Sequence, residues 1–221
     1  MNNYELQYRI LEQKDWAVVV FIVALALIAI VKTNFENRFY DFVRLAFSAK
    51  YVKIYKDGSL LMSWFTVIMF FVQLISLSFF VQLILDYYNI VSKHDYVVFI
   101  QIFTIFLVFI LAKFLIEKII ATVFDIEEQA DMYNMTKVSY RTYIALLLFP
   151  INVFLFYNNN TSFLLISCIV SIVLVANLLT YINSIKTYQN IVFGNLLYYI
   201  LYLCTLEIAP YYFVYYWFTN R

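Results

Sequence analysis

Glu207 is the carboxylate whose surroundings most invite chemistry. It stands within one turn of the centre of an apolar run from Val192 to Trp217. A charge at such a depth in a membrane helix costs about 2.5–3.5 kcal/mol, so the side chain must face the protein interior. Pro210, three residues on, removes the amide that would bond the carbonyl of Leu206 and opens the helix beside it. Two readings stand: a group that handles protons or ions, and a hydrogen bond that holds helices together. Lys113 is the nearest candidate counter-charge, but rises of 1.5 Å per residue along the two spans leave a depth gap of about 10 Å. Lys113 and Glu117 are spaced i,i+4 on one helix face, and pairing with each other is the simpler expectation. Asn177, Gln73, Gln82, Gln101 and Asn152 also fall in apolar stretches. They are expected to act as interhelical hydrogen bonders at about 0.6 kcal/mol each rather than to line a path.

Most catalytic constellations are missing. The chain has one histidine, His94, read as a polar residue of a short outer loop. A single histidine excludes the paired ligands of a haem and the zinc-binding H-E-x-x-H pattern. The two glycines, Gly58 and Gly194, open neither a phosphate loop nor a nucleophile elbow. No two carboxylates share a membrane depth, so acid–base catalysis lacks its second member. Cys168 and Cys204 sit in apolar runs and read as small hydrophobes. The sequence therefore implies no metal and no cofactor, and leans away from an enzyme. A net charge of +1 gives no reason to expect nucleic acid as a partner.

These residues must be carried by membrane helices. Of 221 residues 65% are hydrophobic and 13% charged, against about 25% charged in soluble domains. A chain this apolar cannot hide its surface from water. A span needs roughly 20 apolar residues, and six stretches meet or approach that: 16–31, 60–85, 96–123, 140–157, 162–181 and 192–217. The fourth is weakest, since its apolar run begins at Tyr143 and reaches spanning length only if Tyr140 and Arg141 extend it. The expected fold is an all-α membrane protein, a single domain over 1–221 with about six transmembrane helices. Asp15 and the acidic residues before it argue against a cleaved secretory leader, so the first span is read as retained.

The connections carry the charge. Ten Lys and Arg residues fall on the side of the odd-numbered connections and four on the other, which places the former in the cytoplasm and both chain ends outside. Residues 33–59 form the largest connection. Phe35, Phe39, Phe42, Val43 and Ala46 occupy one helical arc, with Asp41, Arg44 and Ser48 opposite and Arg38 at the edge. Such a helix would lie in the interface, with Arg38, Arg44, Lys50, Lys53 and Lys56 meeting anionic headgroups; an ordinary positive loop is the plainer alternative. Residues 124–141 run from acidic to basic, and the acids are expected on an extension of the third span. Both segments are candidate docking surfaces for a protein partner, alongside membrane lipids.

The final span also carries a resemblance. Tyr202-Leu203-Cys204-Thr205-Leu206-Glu207-Ile208-Ala209-Pro210 resembles the C-terminal signature of a Bacteroidota integral-membrane family, domain of unknown function 4271. Tyr140-Arg141 with Leu148-Phe149-Pro150, and Gly194-Asn195, are similar to further features of it. The resemblance implies an inner-membrane protein of a Gram-negative bacterium and brings no reaction with it. It places Glu207, Pro210, Arg141 and Pro150 at motif positions. Three roles stay open: a non-enzymatic scaffold or accessory subunit of envelope machinery, a small-solute, ion or lipid transporter using Glu207, and a lipid-modifying enzyme at the cytoplasmic interface.

Overall fold

The computed structural model describes residues 15–46, 51, 54, 63–123, 127–158 and 163–187. The sixth expected span lies outside the described residues, as do Glu207, Pro210, Cys204, Lys50, Lys53 and Lys56. The described part is helical and contains no strand. Its elements are α1 (Asp15–Asn34), α2 (Glu36–Val43) running into a 3-10 turn (Arg44–Ala46), α3 (Trp64–Tyr87), α4 (Tyr96–Val123), α5 (Glu127–Tyr157) and α6 (Phe163–Thr187). Five of these helices are long and apolar enough to cross a membrane.

The helix ends have local causes. Ser63 caps α3, its hydroxyl accepting from the amide of Thr66. At the other end Asn89 takes a positive φ of 55°. That lets the amide of Ile90 reach the carbonyl of Leu85 and the amide of Asn89 that of Asp86, which closes the helix. Asp95 then caps α4, accepting from the amide of Val97 through Oδ1.

The fourth span departs most from expectation. It is the longest helix, 31 residues, and continues unbroken from Glu127 through Pro150 to Tyr157. The polar stretch before Tyr140 is helix rather than connection, because nothing between Glu127 and Phe149 breaks one. Glu127, Glu128 and Asp131 therefore open α5 and do not extend α4. Acids at a helix N-terminus complement its dipole.

The five long helices alternate in direction, and two clusters mark the ends of the bundle. At one end the start of α1 (Ala17, Phe21, Ala24), the end of α3 (Ile75, Phe79, Leu83), the start of α4 (Phe99) and the end of α5 (Phe149, Leu155, Phe156) pack together. At the other, Val31 of α1, Phe65 and Met69 of α3, and Met135 of α5 meet Phe42 and Leu45 from the α2 segment, with Tyr51. The first is the outer end and the second the inner end in the orientation expected from charge. α2 lies across the inner cluster with Phe42 buried and Phe39 packed on it, while Val43 on the same arc is exposed.

α3 is the axis of the bundle: 61% of its apolar stretch is buried, against 6% for α4 and 6% for α6. Phe79, on the outer half of α3, is surrounded by rings: Phe21 at 4.3 Å, Phe99 at 4.5 Å, Trp16 at 5.7 Å and Phe156 at 5.9 Å between centroids. Phe79→Ala should therefore lower the unfolding free energy in detergent by about 3–5 kcal/mol. Phe71→Ala, on an exposed face of the same helix, should stay within about 0.5 kcal/mol of the parent.

Candidate functional site

Polar chemistry inside the bundle is concentrated along the contact of α3 with α5. The two helices run parallel. Thr142 Oγ1 donates to Gln73 Oε1 at 2.7 Å, and one step further outward Ser76 Oγ donates to the carbonyl of Ala145 at 2.7 Å. Asn152 reaches back toward the N-terminus of its helix, as helical side chains do, and donates to the carbonyl and hydroxyl of Ser76 at 2.7 and 3.2 Å. Amide, hydroxyl and carbonyl thus form a short relay across the seam. Pro150 belongs to the same stretch. It lacks the amide that would bond the carbonyl of Leu146, next to Ala145, and its ring faces outward.

At the outer end the connection between α3 and α4 is held from several sides. Gln82 Nε2 donates to the carbonyls of Ser92 and Asp95, and Asp86 Oδ1 accepts from the amide of Lys93. Trp16 Nε1 donates to the carbonyl of His94 at 2.9 Å. The His94 ring meets Phe156 edge-on at 5.5 Å, so this histidine is part of the packing and not merely a polar loop residue. Lys93 is buried, its ammonium donating to the carbonyl of Asn158. Asp86 and Lys93 line a cavity of about 20 Å³ with Phe80, Leu83, Leu155 and Ile169, a volume that suits a water molecule and little more.

Two ionic groups occupy the inner end. Arg38 is buried and donates to Tyr51 Oη at 3.3 Å, Ser63 Oγ at 2.7 Å and Thr66 Oγ1 at 3.2 Å, with its guanidinium 4.5 Å from the centre of the Phe65 ring. Helical periodicity set this residue at the edge of the polar arc; the structure turns it inward, where it ties α2 to the cap of α3. Arg44 is exposed and lies over the Tyr40 ring at 4.2 Å. The second group is Glu117 with Lys137, 3.8 Å apart, both buried between α4 and α5. Glu117 thus has an ion-pair partner across the helix contact, while Lys113 stands one turn before it on its own helix. The Tyr133 ring flanks the ammonium at 5.2 Å.

The remaining predicted residues are dispersed. Lys113 and Arg141 are half-buried toward the inner end of α4 and α5. Asn177 is exposed on α6 and donates to the carbonyl of Val173 on its own helix, so it bridges no helices through that bond. Gln73, Gln82 and Asn152 do join elements, whereas Gln101 is exposed. Sequence reasoning missed Lys137 because it ended the connection at residue 141. The unbroken helix-compatible run from Glu127 was the signal that could have found it. Among the described residues no three His, Cys, Asp or Glu side chains gather to hold a metal.

The sequence profile of a family described as a domain of unknown function (DUF4271) matches residues 17–218. The chain belongs to this family. No curated protein and no solved structure matches it. The match covers all of the described bundle but Asp15 and Trp16 and runs on into the stretch that holds Glu207 and Pro210, so the helical seam and the C-terminal signature lie within one family unit.

The buried ion pair yields a prediction. Glu117→Leu leaves a buried ammonium without its carboxylate and should cost about 3–5 kcal/mol in unfolding measurements. Adding Lys137→Met removes that charge and should restore most of the loss.

Proposed function

We propose that this DUF4271 chain is a non-enzymatic scaffold or accessory subunit of cell-envelope machinery, embedded in the inner membrane of a Gram-negative bacterium. The observation that carries the reading is how the buried polar groups are used. Gln73, Ser76, Gln82, Thr142 and Asn152 each bond another helix or the connection beside it, and Glu117 is ion-paired across a helix contact. These groups set helix order and register. A catalyst or carrier would need some of them aimed at a substrate instead.

The outward surfaces support the same role. α4 and α6 keep almost their whole apolar stretch uncovered, and such faces suit lipid or the helices of a larger assembly. The segment around α2 and the acidic start of α5 offer charged surface at the inner end for a soluble partner. The proposed orientation puts this end in the cytoplasm and the residues before α1 in the periplasm, following the excess of Lys and Arg.

Two measurements test the proposal. In a background with Cys168 and Cys204 replaced by Ser, an impermeant maleimide added to spheroplasts should label Ser92→Cys and spare Glu127→Cys; the reverse pattern inverts the orientation. Cross-linking in native membranes followed by affinity purification should return the same envelope proteins in independent preparations. Repeated recovery of the chain alone, with Glu207→Gln abolishing a solute flux into proteoliposomes, would replace the scaffold by a transporter.

A further inference from the structure

α6 meets the bundle along one face and leaves the other uncovered. Leu165 and Ile169 pack on the outer cluster and Thr180 is buried, whereas Leu164, Ser167, Ser171, Leu174, Val175 and Leu178 are exposed along the opposite arc. Ser167 and Ser171 stand one turn apart on that arc. Ser78, Thr104, Thr122, Ser139 and Thr180 each return a hydrogen bond to the carbonyl four residues earlier. Among the described residues Ser167 and Ser171 make no such bond. Two hydroxyls on an apolar face call for a polar partner that acyl chains do not offer.

The chain itself supplies a candidate. α6 ends at Thr187 and the last apolar run begins at Val192, so four residues join them. A connection that short sets consecutive helices side by side and antiparallel. Depth then decides which polar groups can meet. Ser171 lies about 1 Å and Ser167 about 7 Å from the centre of the apolar stretch Phe163–Thr180, toward the outer end. On an antiparallel neighbour Glu207 lies about 4 Å from the centre of 192–217 on the same side, between the two hydroxyls. Other exposed amides fall at other depths. Asn177 is about 8 Å inward of the α6 centre and already bonds Val173, and Gln101 is about 13 Å outward of the centre of α4. We propose that residues 192–217 dock on the exposed face of α6, with the Glu207 carboxyl held by the hydroxyls of Ser167 and Ser171. The small serine side chains let the two backbones approach closely. Glu207 is then a fastener between the last two helices and not a group that carries protons or ions. This rests on the membrane placement above and not on the scaffold role.

The test uses the full-length chain in native membranes, with Cys168 replaced by Ser and Cys204 left in place. On mild oxidation Leu174→Cys, three residues beyond Ser171, should form a disulfide with Cys204, read as loss of maleimide labelling in a monomer. Val108→Cys, at mid-depth on the exposed face of α4, should form none. With Cys204 also replaced by Ser, Leu164→Cys and Tyr211→Cys should join toward the outer end. Linking through Val108→Cys, or none through Leu174→Cys, overturns the docking. A disulfide-linked dimer through Leu174→Cys gives the face to a second copy and overturns it equally. The grip on the carboxyl is read by thermal melting in detergent. Glu207→Leu should lower the midpoint, and adding Ser167→Ala with Ser171→Ala should lower it no further, since all three changes remove one interaction. Additive losses overturn the pairing. Should Glu207→Leu fail to fold, linking of Leu174→Cys to Cys204 decides: it should survive Glu207→Gln, which keeps a hydrogen-bonding side chain, and be lost with Ser167→Leu and Ser171→Leu. The opposite result for either variant refutes the proposal. Each readout is internal to the chain, so its failure is distinct from a failure of the scaffold reading.

Discussion

The bundle depends on satisfying polar groups where no water can reach them. In hydrocarbon an unpaired donor or acceptor costs several kcal/mol, so a polar side chain on a spanning helix bonds either its own turn or a neighbouring element. α3 shows the consequence most clearly. Between Val67 and Leu85 it carries Gln73, Ser76, Ser78 and Gln82 in an otherwise apolar run, and all four are buried. Ser78 returns its hydrogen bond to Leu74 on its own helix, whereas the others reach across to α5 or to the connection that follows α3. Apolar contacts alone would leave α3 free to slide against α5, since one leucine-rich surface resembles another. The Gln73–Thr142 and Ser76–Ala145 bonds leave one register.

That register fixes the rest of the topology. Two parallel helices joined through a short chain need an antiparallel element to bring the polypeptide back, and α4 supplies it. Its two ends are held by different physics. At the outer end Phe99 enters the ring cluster around Phe79, and Asp95 is both the cap of α4 and an acceptor for Gln82. At the inner end the hold is ionic, through Glu117 and Lys137. Rings pack at both ends of the bundle, and the inner end adds Arg38, which joins α2 to α3 through hydroxyl partners. α2 is secured to the bundle by one guanidinium and the Phe42 ring.

Much of this architecture was legible in the sequence, for a simple reason. Spanning length and hydropathy are one-dimensional properties, so the 96–123 span is found with the same bounds in the structure. Side-chain direction is three-dimensional, and there the sequence was weaker. Arg38 reads as an edge residue on a helical wheel because the wheel does not include Tyr51, Ser63 and Thr66, which the fold brings to it. The start of α5 was misread for a related reason. Hydropathy falls below a spanning threshold from Glu127 to Arg141, but a helix is stopped by proline, glycine or a competing cap, and none occurs there. Ser76 and Thr142 carried no signal at all, since a lone hydroxyl in an apolar run looks the same whether it bonds its own turn or a neighbouring helix.

The uneven covering of the helices bears on where function should be sought. A carrier built around a central path keeps its polar groups at the middle of the bundle and facing one another across a space. Here the middle is occupied by α3, whose polar groups are used for packing, and the rings of Phe21, Phe79 and Phe99 fill the outer half. Among the described residues, the periphery and the ends are the parts open to other molecules. The described periphery consists of the apolar flanks of α4 and α6, and the ends differ in charge. A molecule recognised by this bundle must therefore meet an apolar helix flank, a charged end, or both together. An amphiphile or the membrane-proximal part of a protein has those two surfaces side by side.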